Sequence, residues 1–284
     1  VWKASGELLF RPYAIKVVNG VQVAFIGAAL ASTPSIVVPS GVAGLTFGDE
    51  ADAINAQVKV LQAQGIHAFV AVIHDGAYSQ TFYGGPTDAA KPGPSSDLTS
   101  LVARLDADVD VAITAHTHWF TNALVKNAGG NDVLCVQAYN AGKDYADVDL
   151  TLDPVTGDVA SKSAQIVATY ASGATPDPAL AALTAAAEAE VAPLTQQVIT
   201  STTRVVAKAA LASGESQLGD LVAEAHRVAM GADFGITNPG GLRADLPVSC
   251  AAGGCNVTWN DCFTAQPFGN QVMRITLTGQ QLQD

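Results

Sequence analysis

A two-part α/β fold is what this 284-residue sequence predicts, and three observations carry that reading. Two helix-then-apolar-strand units follow one another in the first 120 residues, and each strand runs into histidine. A capped, alanine-rich helix starts at 177. Beyond it a further helix, a glycine stop and an apolar stretch lead into the glycine-rich loop "NPGGLR".

The elements follow in chain order. "VWKASGELLFRPY" reads as the continuation of a strand, and residues 13–30 alternate and then run apolar around Asn19-Gly20, a two-residue hairpin signal. In "DEADAINAQVKVLQAQG", Ile54, Val58 and Leu61 recur at helical spacing, acidic residues fill the first turn, and Gly65 is the stop. "IHAFVAVIHDG" then gives a buried strand over 68–73 with His74 at its carboxyl end. After a Gly/Pro/Ser-rich loop at 84–97, Leu98, Leu101, Val102 and Leu105 share one helix face. A strand over 109–114 follows and ends in "AHTH".

A strand pair is expected over roughly 133–152, before the turn "DPVTGD". Asp177 caps the next helix with Pro178 at its first position, and Leu180, Leu183, Ala187, Val191 and Leu194 form a narrow stripe. The domain boundary falls within 170–197. "ESQLGDLVAEAHRVAMGADFGITN" reads as helix, glycine stop and strand, and "ITLTGQQLQD" ends where a helix begins. With a strand at its start and a helix at its end, the chain reads as a fragment.

Composition narrows the function. Hydrophobic residues make up 49% and charged residues 14%, the balance of a packed globular protein rather than a disordered one. The net charge of −12 argues against a nucleic-acid polymer as partner, which needs a basic face, but leaves a small phosphorylated ligand open. The longest apolar stretch, "VQVAFIGAALA" from Val21, falls short of the roughly 20 residues of a membrane span. In "CAAGGC", Cys250 and Cys255 are either a local disulfide, which favours an exported protein, or two free thiols.

Three histidines stand at two adjacent strand ends. Residues i and i+2 of an extended segment point the same way, so His116 and His118 are candidates to converge on one ion or on two adjacent ions, with His74 beside them. His67 and His226 read as structural. Asp75 either orients an imidazole or begins the turn.

These residues resemble a known family, the secreted bifunctional metallophosphatases/5'-nucleotidases. His74 in "VIHDG" and His116 and His118 in "AHTH" are similar to the late metal motifs of its calcineurin-like domain, with Ala115 where the family has glycine. "GESQLGDLVAEA", "GADFGITNPGGLRADL" and "CFTAQPFGNQVMRITLTG" follow the order of its nucleotide-binding C-terminal domain. The resemblance implies the second half of a calcineurin-like sandwich over 1–172, a linker helix over 173–197 and a truncated recognition domain over 198–284. It also implies two divalent ions (zinc, manganese or similar), His74 and His116 on one and His118 on the other, and a nucleotide substrate held by Asn238, Gly240, Gly241, Arg243 and Phe268.

The reaction so implied is hydrolysis of nucleotide phosphate esters, in an exported protein. The family's earlier motifs, including its bridging aspartate, have no counterpart here, so the 284 residues alone are expected to be inactive. The rival readings are another metal-dependent hydrolase such as an amidohydrolase, and a non-catalytic nucleotide-binding or surface module.

Overall fold

The computed structural model describes residues 1–78, 80–91, 93–94 and 97–283, so parts of the loop expected at 84–97 lie outside the described residues. The chain divides into two units, Val1–Ala174 and Thr175–Asp284.

The first unit is built on a six-stranded sheet in the order β1-β2-β3-β4-β6-β5. β1 (Tyr13–Val18) and β2 (Val21–Ala28) form the expected hairpin, with Asn19 and Gly20 both at positive φ, the backbone that a tight two-residue turn demands. Two single-turn helices, α1 (Thr33–Ile36) and α2 (Pro39–Val42), lead to α3 (Glu50–Gln62). The Asp49 carboxylate accepts from the Asp52 amide to cap α3 and from Arg104 at 2.6 Å. The Arg104 hydrogen bond is the main reason that the carboxyl titrates below its ordinary value. Ile54, Val58 and Leu61 of α3 are fully buried, each contributing about 1.5–3 kcal/mol.

β3 (Ala68–Ile73) pairs in parallel with both β2 and β4 (Val109–Ile113), and α4 (Asp97–Val102) makes the crossover between β3 and β4. The period of two divides β3 between two cores. Phe69, Ala71 and Ile73 pack with α3 and α4, whereas Ala68 and Val70 face the opposite layer. That layer is the antiparallel hairpin of β7 (Asp144–Leu152) and β8 (Val159–Ala168), which contributes Ala164 and Ile166.

Three expectations are corrected. Residues 1–12 form no strand; they curl through Gly6 and hold one isolated bridge, Trp2 to Leu45. The region after 119 holds four strands rather than two, because β5 (Phe120–Lys126) pairs with β6 (Asp132–Ala138) and β8 pairs with β7. β5 is buried on both faces, and β8 interrupts its apolar residues with Ser161, Lys162, Ser163 and Gln165, so neither shows the clean one-sided alternation that marks a strand in sequence. The strand expected just before Asn238 is irregular. There the chain lies directly against the preceding helix, and a Cβ on Gly235 would stand 1.9 Å from the Ala223 carbonyl oxygen.

In the second unit, α5 (Pro178–Thr195) starts at Asp177, whose side chain accepts from two helix amides. β9 (Val198–Thr202) pairs antiparallel with β10 (Cys255–Thr258). α6 (Gln217–Met230) runs from a Ser216 cap to Gly231 in the left-handed conformation. α7 (Trp259–Ala265) carries a capping box of Thr258 and Asp261, and α8 (Gly279–Gln283) is the last element. The core is small: Leu218, Leu242 and Ala265, with Val206, Val222 and Leu246 against them. Cys250 and Cys255 form a disulfide with Cα atoms 5.4 Å apart. Cys135 is a buried free thiol, pushed up to about 12 by burial.

One buried ion pair joins the layers of the first unit. Asp110 of β4 accepts from the Phe69 amide at 3.2 Å and from Lys162 Nζ of β8 at 3.1 Å. Burial raises its carboxyl from 3.8 to about 6, against the pull of Lys162. The folded state therefore binds this proton more tightly than the unfolded state does. The resulting stabilisation is complete below about pH 4 and is lost as pH rises through about 6. Denaturant titrations should show the stability of wild type relative to Asp110→Asn falling between pH 4 and 7, by on the order of 1–3 kcal/mol.

Candidate functional site

Two loops at the carboxyl edge of the parallel strands carry the candidate metal ligands. Because β3 and β4 are neighbours running the same way, the segment after Ile73 and the segment after Ile113 leave the sheet side by side. The His74 and His116 rings meet edge to face, centroids 5.1 Å apart. His118 lies on the same loop as His116 and is exposed; its Nδ1 is 3.1 Å from the Asn140 amide, which leaves Nε2 as the edge that Asn140 does not engage.

The backbone differs from the extended segment expected. His116 (φ 71°) and His118 (φ 63°) are both left-handed, whereas Ala115, the residue standing in for the family's glycine, is not among the positive-φ positions. Tyr139 (φ 48°) and Ala141 (φ 57°), in the loop after β6, share this conformation, so four of the five such non-glycine residues among the described residues lie in the loops after β4 and β6. Each costs of order 1–3 kcal/mol and persists only where its surroundings fix it. Asp75 hydrogen-bonds within and between the loops: its Oδ1 accepts from the Gly76 amide at 2.7 Å and its carbonyl accepts from Ala115 N at 3.0 Å.

Among the described residues, no three His, Cys, Asp or Glu side chains gather closely enough to hold an ion by themselves. What the rim offers is a pair of imidazoles and, beside it, a third. His67 is at the other end of β3, with Nδ1 3.3 Å from an Asp108 carboxylate oxygen.

The second unit holds a cavity of about 650 Å³, within the 300–1,000 Å³ usual for small-ligand sites. Asn238, Gly241 and Phe268 of the predicted set line it; Gly240 and Arg243 do not. Phe268 is 53% exposed, and the Arg243 guanidinium sits 5.5 Å from its ring centroid, a cation–π distance. The Asn238 side chain folds over the glycine pair, 3.2 Å from where a Cβ would stand on either Gly240 or Gly241. A side chain at either position would crowd that amide.

The cavity also takes residues that sequence reasoning passed over: Asn270, Gln266, Arg274, and His226, which was read as structural. Asn270 had a signal, standing two residues after Phe268 in "QPFGN". His226 had none, since one histidine on an amphipathic helix carries no ligand spacing.

Residues 191–284 match the family model of the 5'-nucleotidase C-terminal domain. The matched residues cover β9, β10, α6 to α8 and the whole cavity lining.

Among relatives, the chain is 32% identical over 282 residues to "Endonuclease YhcR" of Bacillus subtilis, covering 99% of this chain and 21% of that protein. It is 30% identical over 290 residues to "Cell wall protein Lmo0130" of Listeria monocytogenes, covering 96% of this chain and 36% of that one. The chain therefore spans about a fifth to a third of the length of these relatives. Its fold is similar to that of the 5'-nucleotidase precursor from Thermus thermophilus, with TM-score 0.69 and 24% identity, over 94% of this chain and 50% of that one.

A direct consequence concerns Gly76. A Cβ there would stand 1.9 Å from Gln137 Oε1 and 2.2 Å from the Ala115 carbonyl oxygen, and the latter is backbone that cannot swing aside. Gly76→Ala should lower the unfolding free energy by on the order of 3 kcal/mol, as overpacked sites do. A denaturant titration beside Gly48→Ala, which has open space around it and no positive φ, isolates the steric part from the cost of losing glycine.

Proposed function

We propose that the chain is part of the working machinery of an exported, metal-dependent nucleotidase. On this reading the nucleotidase domain's cavity holds the nucleoside, and the histidine rim of the first unit serves phosphate-ester cleavage. The observation that carries it is the coincidence of two chemistries in one chain: imidazoles paired at a parallel strand edge, and an exposed ring beside a glycine-opened cavity.

The donor set fits divalent ions of the zinc or manganese kind, since neutral imidazole suits both. His74 and His116 would share one ion and His118 would hold a second. Two such ions, when bound, supply Lewis-acid activation of a water nucleophile and neutralise phosphoryl charge. The chain's own residues do the rest. Asn140 holds the His118 ring by one edge, and the hydrogen bonds of Asp75 fix the segment that follows His74. Phe268 offers a face on which a base stacks, worth about 1–3 kcal/mol. Asn238 and Arg243 bring polar groups to the same place, and Gly240 and Gly241 let ligand approach the backbone closely.

A single nucleotide suits the net charge of −12 better than a polymer does. The Cys250–Cys255 disulfide supports export, as does a relative named for the cell wall. The domain limits read from sequence, 1–172, 173–197 and 198–284, belong to the same proposal. The three histidines among the described residues are too few for a complete two-ion centre, so these 284 residues release little phosphate from AMP by themselves.

Calorimetric titration of adenosine into the chain and into Phe268→Ala tests the recognition half. Loss of one stacked face should weaken binding by about 5- to 100-fold. Equal affinities would remove Phe268 from the site. Phosphate release from AMP with added Mn²⁺ at a rate approaching that of a longer chain would overturn the inactivity.

A further inference from the structure

We propose that Gln137 and Thr117 are positioning residues for the metal ligands, forming one neutral clamp that holds both histidine loops. The inference rests on the metal reading of His74, His116 and His118 proposed above.

Gln137 is next to last in β6, which lies against β4 in the sheet. Its side chain is 2% exposed yet polar, the kind of buried group that must find partners. Nε2 donates to Thr117 Oγ1 at 2.7 Å and to the Trp119 carbonyl at 2.9 Å, using both amide hydrogens. Oε1 packs onto Gly76, where a Cβ would stand only 1.9 Å away. One amide therefore grips the loop after β4 with its nitrogen and rests on the loop after β3 with its oxygen.

Thr117 completes the connection. Its hydroxyl accepts from Gln137 and donates to the Ala77 carbonyl at 2.6 Å, crossing from the loop of His116 and His118 to that of His74. Ala115 N donates to the Asp75 carbonyl at 3.0 Å and Thr117 N to the Ala115 carbonyl at 2.8 Å. Residues 115, 117 and 119 are thus held by the clamp, and the histidines between them are left with left-handed backbone. The clamp is what fixes that unfavourable conformation before an ion arrives.

The chemistry at 137 is constrained. A glutamate has the same shape but, when ionised, has no hydrogen to donate, and a methionine fills the space with neither donor nor acceptor. At 117, serine keeps the hydroxyl and valine keeps the shape without it.

The test is Co²⁺ titration of the whole chain, followed by visible absorption and by equilibrium dialysis. Circular dichroism melts confirm folding. Thr117→Val and Gln137→Met should bind Co²⁺ at least tenfold more weakly with an altered spectrum, while Thr117→Ser stays within about threefold of wild type. Ile54→Val, which weakens the core away from the loops, should bind as wild type does. Thr117→Val equal to wild type in affinity and spectrum would overturn the clamp, as would equal weakening by Ile54→Val. The double variant His116→Ala, His118→Ala separates the two levels: if it binds like wild type the metal reading itself fails, and if it alone loses Co²⁺ only the clamp fails.

Discussion

The parallel pairing of β3 with β4 is the constraint from which the first unit's chemistry follows. Parallel neighbours end on the same edge, so the residues immediately beyond Ile73 and Ile113 are brought together by the sheet itself. The register is held on both faces: Phe69, Ala71 and Ile73 lie against α3 and α4, while Ala68 and Val70 lie against the β7–β8 layer. A one-residue slip would exchange those faces and bury the wrong set. The strands are apolar because both faces are covered, and the histidines come where the cover stops.

Beyond the sheet the control passes from hydrophobic packing to hydrogen bonds. The rim backbone at His116, His118, Tyr139 and Ala141 is left-handed, a conformation that packing alone does not select for residues with a Cβ. Gln137 and Thr117 hold the loops of His74, His116 and His118, and Asn140 holds the His118 ring, so a few neutral groups decide where three imidazoles stand. Asp110 and Lys162 act differently: they tie β4 to β8 toward the opposite end of the strand, where charge is buried and pH matters. The two ends of β4 thus divide the work, one securing the layers and the other leading into the histidine loop.

Much of this was legible in the sequence where one physical signal dominated. Helical spacing of Ile54, Val58 and Leu61, the Asn19-Gly20 turn and the Asp177 cap each marked an element because local chemistry and tertiary packing agree there. β5 was illegible because burial on both faces erases alternation, and the irregular run before Asn238 because a glycine allowed close approach to α6 instead of pairing. At the site, the spacing of His116 and His118 flagged the residues but suggested the wrong backbone. Gln137, Asn140 and His226 left no trace, since a lone amide or imidazole acquires meaning only from what the fold places beside it.

On the proposed reading, three of the five histidines form a metal rim while the other two are occupied elsewhere. Long-range ¹H–¹⁵N spectra of the imidazole nitrogens during Zn²⁺ titration address this residue by residue. The resonances of His74, His116 and His118 should move together with added metal, while those of His67, against Asp108, and His226, in the second unit's cavity, stay in place. Rim resonances that stay fixed at saturating Zn²⁺, or all five moving alike, would contradict it.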